Sequence, residues 1–261
     1  AAQFSNLLEK YRKLGLPGIS LIVRDSSGTW TGAAGYKNLR EQQLFSSCTI
    51  SKNASITKLF ISTLCMRLVE LGFLALDDLA ANYLDDTHVS KVKNLEGATV
   101  RQLLNHTSGI YDMVSDQTWY LNVLNDPDRR WEPEDLIKYA YNDDAYFPIG
   151  SGVNYSNSNF LILSMVIDDI GKRHFGGKKH DDLLYELVVD PLFLEDVYYD
   201  NQLEGFPEHI ANGYFDLHNN GTILNLSDWN TGSGNGYGGM YTSVETMLIF
   251  MESVFRNPVL L

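Results

Sequence analysis

The spacing of apolar and polar positions changes character along the chain, and each change predicts a different element. Residues 4–14 set Phe4, Leu7, Leu8, Tyr11 and Leu14 at helical spacing, which predicts an amphipathic helix. Gly18 to Arg24 and Thr29 to Tyr36 are apolar, β-rich runs joined by the polar turn Asp25-Ser26-Ser27-Gly28, the signature of an antiparallel hairpin. From Ile56 to Leu71 the pattern is helical and almost wholly apolar (Leu59, Phe60, Ile61, Leu64, Met66, Leu68, Val69), stopping at Gly72. A helix apolar nearly all round is expected to be buried at a domain centre. The remainder of the chain reads as mostly helical. Thr99 with Gln102 forms a capping box for a short helix ending near Asn105. Pro133 opens a helix through Tyr141. Residues 159–170 form a helix stopped by Gly171, 181–189 another ending before Pro191, and Thr242 with Glu245 caps a last helix over 243–256. Loops lie between them, notably from Gly232 to Gly239.

Length and charge narrow the classes. At 261 residues the chain buries a full core, as one large or two interleaved domains, and 44% hydrophobic with 12% aromatic residues argues against disorder. Acidic side chains outnumber basic ones 33 to 20, a net charge of −13 that repels phosphate backbones and anionic lipid. No nucleic-acid or membrane-surface partner is therefore expected, and no apolar run approaches the roughly 20 residues of a membrane span. The opening Ala1-Ala2-Gln3 fits a processed, exported protein and equally a trimmed one. Cys48 and Cys65 show no metal spacing and no Cys-x-x-Cys; both read as small core residues, with a disulfide as the alternative.

The chemistry concentrates at two places. Ser55-Ile56-Thr57-Lys58 sits at the mouth of the apolar helix, and a hydroxyl at i with an amine at i+3 shares one helical face. The amine can take the proton that leaves the hydroxyl, which turns an inert serine into a nucleophile. The competing reading of Ser55 is a helix N-cap. Lys58 is the sharper clue, because its helix is otherwise apolar for two turns and a lysine there must snorkel, pair or act. Ser90-Lys91-Val92-Lys93 fits the same spacing, but in a charged, loop-like stretch. The second place is Tyr155-Ser156-Asn157, at the end of the Pro/Gly loop Phe147-Pro148-Ile149-Gly150-Ser151-Gly152-Val153-Asn154, which delivers polar side chains just before a buried helix. Here the alternative is a polar helix start, with Asn157 or Asn159 as cap.

In this order the motifs resemble the serine β-lactamase and penicillin-recognising D,D-peptidase superfamily, in the branch of class C β-lactamases, D-alanyl-D-alanine carboxypeptidases and related esterases. Pro17-Gly18-Ile19-Ser20-Leu21-Ile22-Val23 looks like the family's opening strand, and Ser55-Ile56-Thr57-Lys58 like its nucleophile motif. Leu74-Ala75-Leu76-Asp77-Asp78, Leu103 through Ile110, the Tyr155-Ser156-Asn157 segment, Pro191-Leu192 and Gly238-Gly239-Met240 match later landmarks. The resemblance implies an α+β fold of the β-lactamase/transpeptidase type: an N-terminal helix and hairpin over 1–50, a helical subdomain with the active-site motifs over 51–240, and a segment 241–261 leading back toward sheet strands. It implies a serine hydrolase working through an acyl-enzyme, with no cofactor and no metal. Ser55 would be acylated, Lys58 and Tyr155 would shuttle its proton, Asn157 would bond the substrate amide, and the Ser55 N–H would form half of an oxyanion hole. Lowering a phenol from about 10 to about 7 needs about 4 kcal/mol, which one ammonium at about 4 Å supplies at an effective dielectric near 20, enough to support the proton-shuttling role of Tyr155. His106 fits a structural role in its turn. The implied substrates are D-alanyl peptides of peptidoglycan or β-lactam amides, and the implied compartment is periplasmic or secreted.

The family's third element, Lys-Thr-Gly or His-x-Gly, is not found in the chain. His174-Phe175-Gly176 has the letters, but in a Gly/Lys loop soon after Asn157, and Asn230-Thr231-Gly232 lacks the cation. The resemblance places that element past Leu261, so the chain is expected to lack the C-terminal part, including the second oxyanion donor. Two alternatives stand beside the amide hydrolase: an esterase of the same fold, and a truncated, catalytically silent binding protein.

Overall fold

The computed structural model describes residues 1–200 and 210–256. In chain order its regular elements are α1 (Ala2–Lys13), β1 (Gly18–Asp25), β2 (Gly28–Asn38), β3 (Gln43–Leu44), β4 (Ser51–Lys52), α2 (Thr57–Glu70), α3 (Asp86–Lys91), α4 (Val100–Leu104), α5 (Gln117–Asn125), α6 (Pro133–Leu136), α7 (Asn157–His174), α8 (His180–Leu184), β5 (Tyr198–Tyr199), β6 (Tyr214–Phe215), β7 (Leu224–Asn225), β8 (Met240–Thr242) and α9 (Val244–Arg256). The architecture is α+β. Its described residues divide into a sheet unit, those within Ala1–Asn53, Leu194–Asp228 and Met240–Leu260, and a helical unit, Ala54–Phe193 with Trp229–Gly239.

In the sheet unit β1 and β2 pair antiparallel from Gly18↔Gly35 to Asp25↔Gly28, which leaves Ser26-Ser27 as a two-residue turn. Asp25 Oδ1 accepts the Ser27 N–H and O–H and holds that turn. β3 extends β2 on its other edge, and α1 packs on β2 with the Phe4 and Trp30 rings 5.0 Å apart. Of the expected apolar stripe on α1, Leu8 is buried while Leu7, Tyr11 and Leu14 are exposed, because a single sheet face covers only the Phe4–Leu8 line of the helix. A second small sheet has the order β4-β8-β5, beside which Ile50 and Ile210 cluster with Tyr241. α9 lies along β1 and is tied to it by the Arg24–Glu252 ion pair. Its cap is not Thr242, which belongs to β8 and accepts a hydrogen bond from Asn53 Nδ2. Ser243 Oγ instead accepts the Thr246 N–H.

In the helical unit α7 is buried without interruption from Ser158 to Ile167. It starts at Asn157 and passes through Gly171 to His174. That glycine does not end the helix; a Cβ there would lie 1.9 Å from the Lys178 carbonyl oxygen, so its absence lets the following loop close onto the helix. α2 buries Phe60, Ile61, Leu64, Cys65 and Leu68 but leaves Ile56, Leu59 and Met66 exposed, so it is covered on one side rather than all round. The capping box of Thr99 and Gln102 forms at α4. The segment opened by Pro133 tightens into a 3₁₀ turn after Leu136, and α8 continues as a π turn over Tyr185–Val189. Cys48 is exposed, beside Ser46 Oγ at 3.3 Å, whereas Cys65 is buried in α2; both thiols are free, so Cys48 is a loop residue and not a core one. Among the described residues no helix is long and apolar enough to cross a membrane.

Candidate active site

The site lies wholly within the helical unit. Ala54 has φ +44°, in the left-handed region that an alanine seldom occupies, and it breaks the chain direction one residue ahead of Ser55. α2 then begins at Thr57, with Ile56 at the N-cap position and no side-chain cap. Ser55 is therefore not spent on capping. Its Oγ accepts a hydrogen bond from the Tyr155 phenol at 2.9 Å and lies 3.2 Å from Lys58 Nζ. The loop ending at Tyr155 delivers that phenol, and the His106 ring stacks on the Tyr155 ring at 4.6 Å. His106 itself sits at φ +61°, and its Nδ1 lies 3.3 Å from the Ser156 N and 3.1 Å from Asn159 Nδ2. Burial, then the nearby Lys58 charge, lowers the His106 pKa, so the ring is neutral and accepts.

Lys58 is only 6% exposed. Its Nζ donates to Asn157 Oδ1 at 2.8 Å and to the Tyr237 carbonyl at 2.6 Å. Both are obligate acceptors, so two N–H bonds are committed in either protonation state. The third direction of the tetrahedral nitrogen meets Ser55 Oγ. In the ammonium it is an N–H donated to Oγ; in the neutral amine it is the lone pair, to which the Ser55 O–H donates. Burial lowers the Lys58 pKa to about 8, with the Asp112 carboxylate pulling the other way. Against a free lysine this is a preference of about 3 kcal/mol for the neutral form, which leaves about a tenth of Lys58 unprotonated at pH 7.

Asn157 is the first residue of α7 and does not cap it. Its side chain is held on both sides: Oδ1 accepts from Lys58, and Nδ2 donates to Asp112 Oδ2 at 3.1 Å, while Asp112 Oδ1 accepts the Asn157 N–H at 2.9 Å. Asn159 lies deeper, accepting from Ser108 Oγ at 2.7 Å. Asp112 is buried, and burial raises its carboxyl pKa, offset in part by the Asn157 hydrogen bonds.

Four residues picked out from the sequence, Ser55, Lys58, Tyr155 and Asn157, thus meet around one hydroxyl. The surroundings of Tyr155 act against the lowering of its pKa that a nearby ammonium would give. Burial raises its pKa, the Ser55 hydrogen bond only partly counters this, and Asp112 adds to it. The Lys58 nitrogen lies 4.9 Å from the Tyr155 ring centroid, as a cation over a π face. Tyr155 is a neutral phenol and a donor. Two participants have no signal in the pattern: Asp112, an ordinary acidic letter in a turn, and the Tyr237 carbonyl, a backbone group. Ser90 donates to the Thr87 carbonyl on α3, far in role from any amine, with Lys93 exposed. His174 and Phe175 end α7 and pack on Phe73. Among the described residues no group of three or more His, Cys, Asp or Glu side chains is placed to hold a metal ion.

Known proteins share this fold. The structure is similar to that of a D-stereospecific amidohydrolase from Streptomyces sp., with TM-score 0.85 and 27% identity over 97% of this chain and 72% of that one. It has the fold of a penicillin binding protein from Bacillus halodurans, with TM-score 0.76 and 21% identity over 98% of this chain and 74% of that one. Penicillin-binding protein 4* of Bacillus subtilis (strain 168) is 25% identical over 228 residues, 85% of this chain and 46% of that protein. Protein flp of Staphylococcus aureus (strain MW2) is 26% identical over 161 residues, 61% of this chain and 31% of that protein. The chain thus spans from about a third to about half of the curated relatives it matches. The family model described as Beta-lactamase matches residues 4–261, nearly the full length, and with the fold and the order of the motifs it establishes that this chain belongs to the Beta-lactamase family.

Proposed function

We propose that the helical unit carries the acylation machinery of a serine hydrolase that cleaves amides of D-amino acids, among them D-alanyl peptides and β-lactams. One observation carries this reading: Lys58 Nζ has two of its directions fixed by obligate acceptors and the third on Ser55 Oγ, which the Tyr155 phenol also reaches. In the neutral state Lys58 takes the Ser55 proton as Oγ attacks the substrate carbonyl carbon. The Ser55 N–H stabilises the resulting oxyanion. As the C–N bond breaks, the Tyr155 O–H protonates the departing nitrogen, and the Lys58 ammonium then restores the phenol's proton. Water reverses these steps on the acyl-enzyme, so Ser55 and Lys58 return to their starting states. Asn157 holds Lys58 through Oδ1 and keeps an Nδ2 hydrogen for the substrate carbonyl.

The preference for a D-configured amide is supported by similarity to the D-stereospecific amidohydrolase from Streptomyces sp., and a β-lactam substrate by similarity to penicillin-binding protein 4*. A fluorophosphonate should label Ser55 in the full-length protein and leave Ser55→Ala unlabelled. Hydrolysis of D-phenylalaninamide, a D-alanyl-D-alanine peptide, benzylpenicillin and p-nitrophenyl acetate should rank the amides of D-residues first. Labelling that survives Ser55→Ala, or none in the wild type, ends this reading. A preference for the ester places the protein with the esterases instead.

A further inference from the structure

The loop that presents the Tyr237 carbonyl is buried from Gly232 to Gly239, and a buried loop must satisfy its backbone polar groups internally. It is closed on itself by the Gly238 N–H to the Ser233 carbonyl at 2.8 Å, a ring that contains residues 234–237. Asn235 Nδ2 donates to the Trp131 and Gly232 carbonyls, and Ser164 Oγ donates to the Asn235 carbonyl. Gly236 lies at φ +91°, where a Cβ would stand 2.5 Å from the Phe160 carbonyl oxygen. Three residues before Tyr237, the Gly234 carbonyl accepts from His180 Nε2 at 3.1 Å. The opposite ring nitrogen, Nδ1, lies 2.8 Å from Asp168 Oδ1, which also accepts the His180 N–H. The Gly234 carbonyl can only accept, and so can the Asp168 carboxylate when ionised; with Asp168 ionised both ring nitrogens carry hydrogen, and His180, at 1% exposure, is an imidazolium.

We propose that His180, charged and paired with Asp168 of α7, is a positioning residue that latches the Gly232–Gly239 loop and thereby fixes the Tyr237 carbonyl against Lys58. His180 is buried and Asp168 only partly so, and an ion pair that takes one charge out of water gains little net stability, so a role in holding geometry accounts for its presence better than stability alone. Burial by itself would drive the ring neutral, but Asp168, the hydrogen bond to it, Asp181 on the same helix and the Gly234 carbonyl together raise the His180 pKa. The latch is therefore complete below the ordinary histidine range and is lost as pH rises through the raised value. The inference rests on the reading of Lys58 as the base, yet it makes a claim about the loop that does not require catalysis.

The test uses His180→Phe, which fills the space without donors, His180→Gln, which keeps a donor for Gly234, and Asp168→Asn, which removes the charge. Amide hydrogen exchange over residues 232–239 should accelerate about tenfold or more in His180→Phe and Asp168→Asn, with α2 and α7 unchanged and His180→Gln partly restored. The Lys58 titration, read by 13Cε-lysine NMR and assigned with Lys58→Arg, should move upward from about 8, because an opened loop admits water and relieves the burial that lowers it. An unchanged loop overturns the latch, and so does a loosened loop with an unmoved Lys58. Loss of folding in all three variants also overturns it, since the pair would then be purely structural. Failure of the catalytic reading shows separately, as wild-type protein that fluorophosphonate does not label while the exchange and titration behave as expected.

Discussion

The two units treat their apolar residues differently. In the helical unit Leu64, Leu68, Leu95 and Leu103 have no exposed surface, and α7 is buried over three turns. In the sheet unit the β1–β2 hairpin is half-buried along most of its length, and Phe255 on α9 is 71% exposed. The contrast has a chemical consequence. Excluding water pushes an amine toward neutrality, and the helical unit supplies that exclusion. In the sheet unit Lys52 sits instead at a partly exposed ion pair with Asp200.

The contrast is sharpest at Lys58. Lys58→Met keeps the length of the side chain but removes the base. Fluorophosphonate labelling at pH 7 should fall about 10³–10⁴-fold. The melting temperature should hold or rise, because an apolar chain replaces a buried amine. A labelling rate within tenfold of wild type breaks the comparison. In the sheet unit the opposite split is expected. Phe250, 1% exposed on α9, should cost about 3–5 kcal/mol on truncation to alanine, read by denaturant unfolding. Labelling of Ser55 should survive under conditions where Phe250→Ala remains folded.

Smaller effects sharpen the same picture. The labelling rate should drop about tenfold per pH unit below about 8, as Lys58 protonates. Asp112 holds that value up by its charge, so Asp112→Asn should move the midpoint of the profile to lower pH. An upward shift would mean that Asp112 acts mainly by excluding water. The smallest expected effect is at the thiols. One equivalent of Ellman's reagent should react with native protein, at exposed Cys48, and a second only after unfolding. Burial pushes the Cys65 thiol up to about 12 and hides it from the reagent.

Much of this site is legible in the sequence. The Ser55–Lys58 spacing and the Phe147–Asn157 loop name four side chains that do converge, because helical periodicity and a Pro/Gly loop constrain direction strongly. The hairpin register follows from a polar turn between two β-rich runs. Three things escape for identifiable reasons. The Tyr237 carbonyl has no letter, since every residue carries one. The Tyr155 pKa is set by burial, which depends on tertiary packing and raises it, with the Asp112 charge adding to the rise. Gly171 reads locally as a helix stop because the return of the following loop, which brings the Lys178 carbonyl against it, is a matter of packing that the letter pattern does not contain.

The fixed pair of acceptors around Lys58 makes a single proton perform two opposite tasks. While it is present, the amine occupies a lone pair of the very oxygen that would attack. When it leaves, the same contact reverses polarity, and that oxygen becomes the donor and is primed. On the proposed chemistry, resting and armed molecules would therefore differ by one hydrogen, with no rearrangement of the backbone between them.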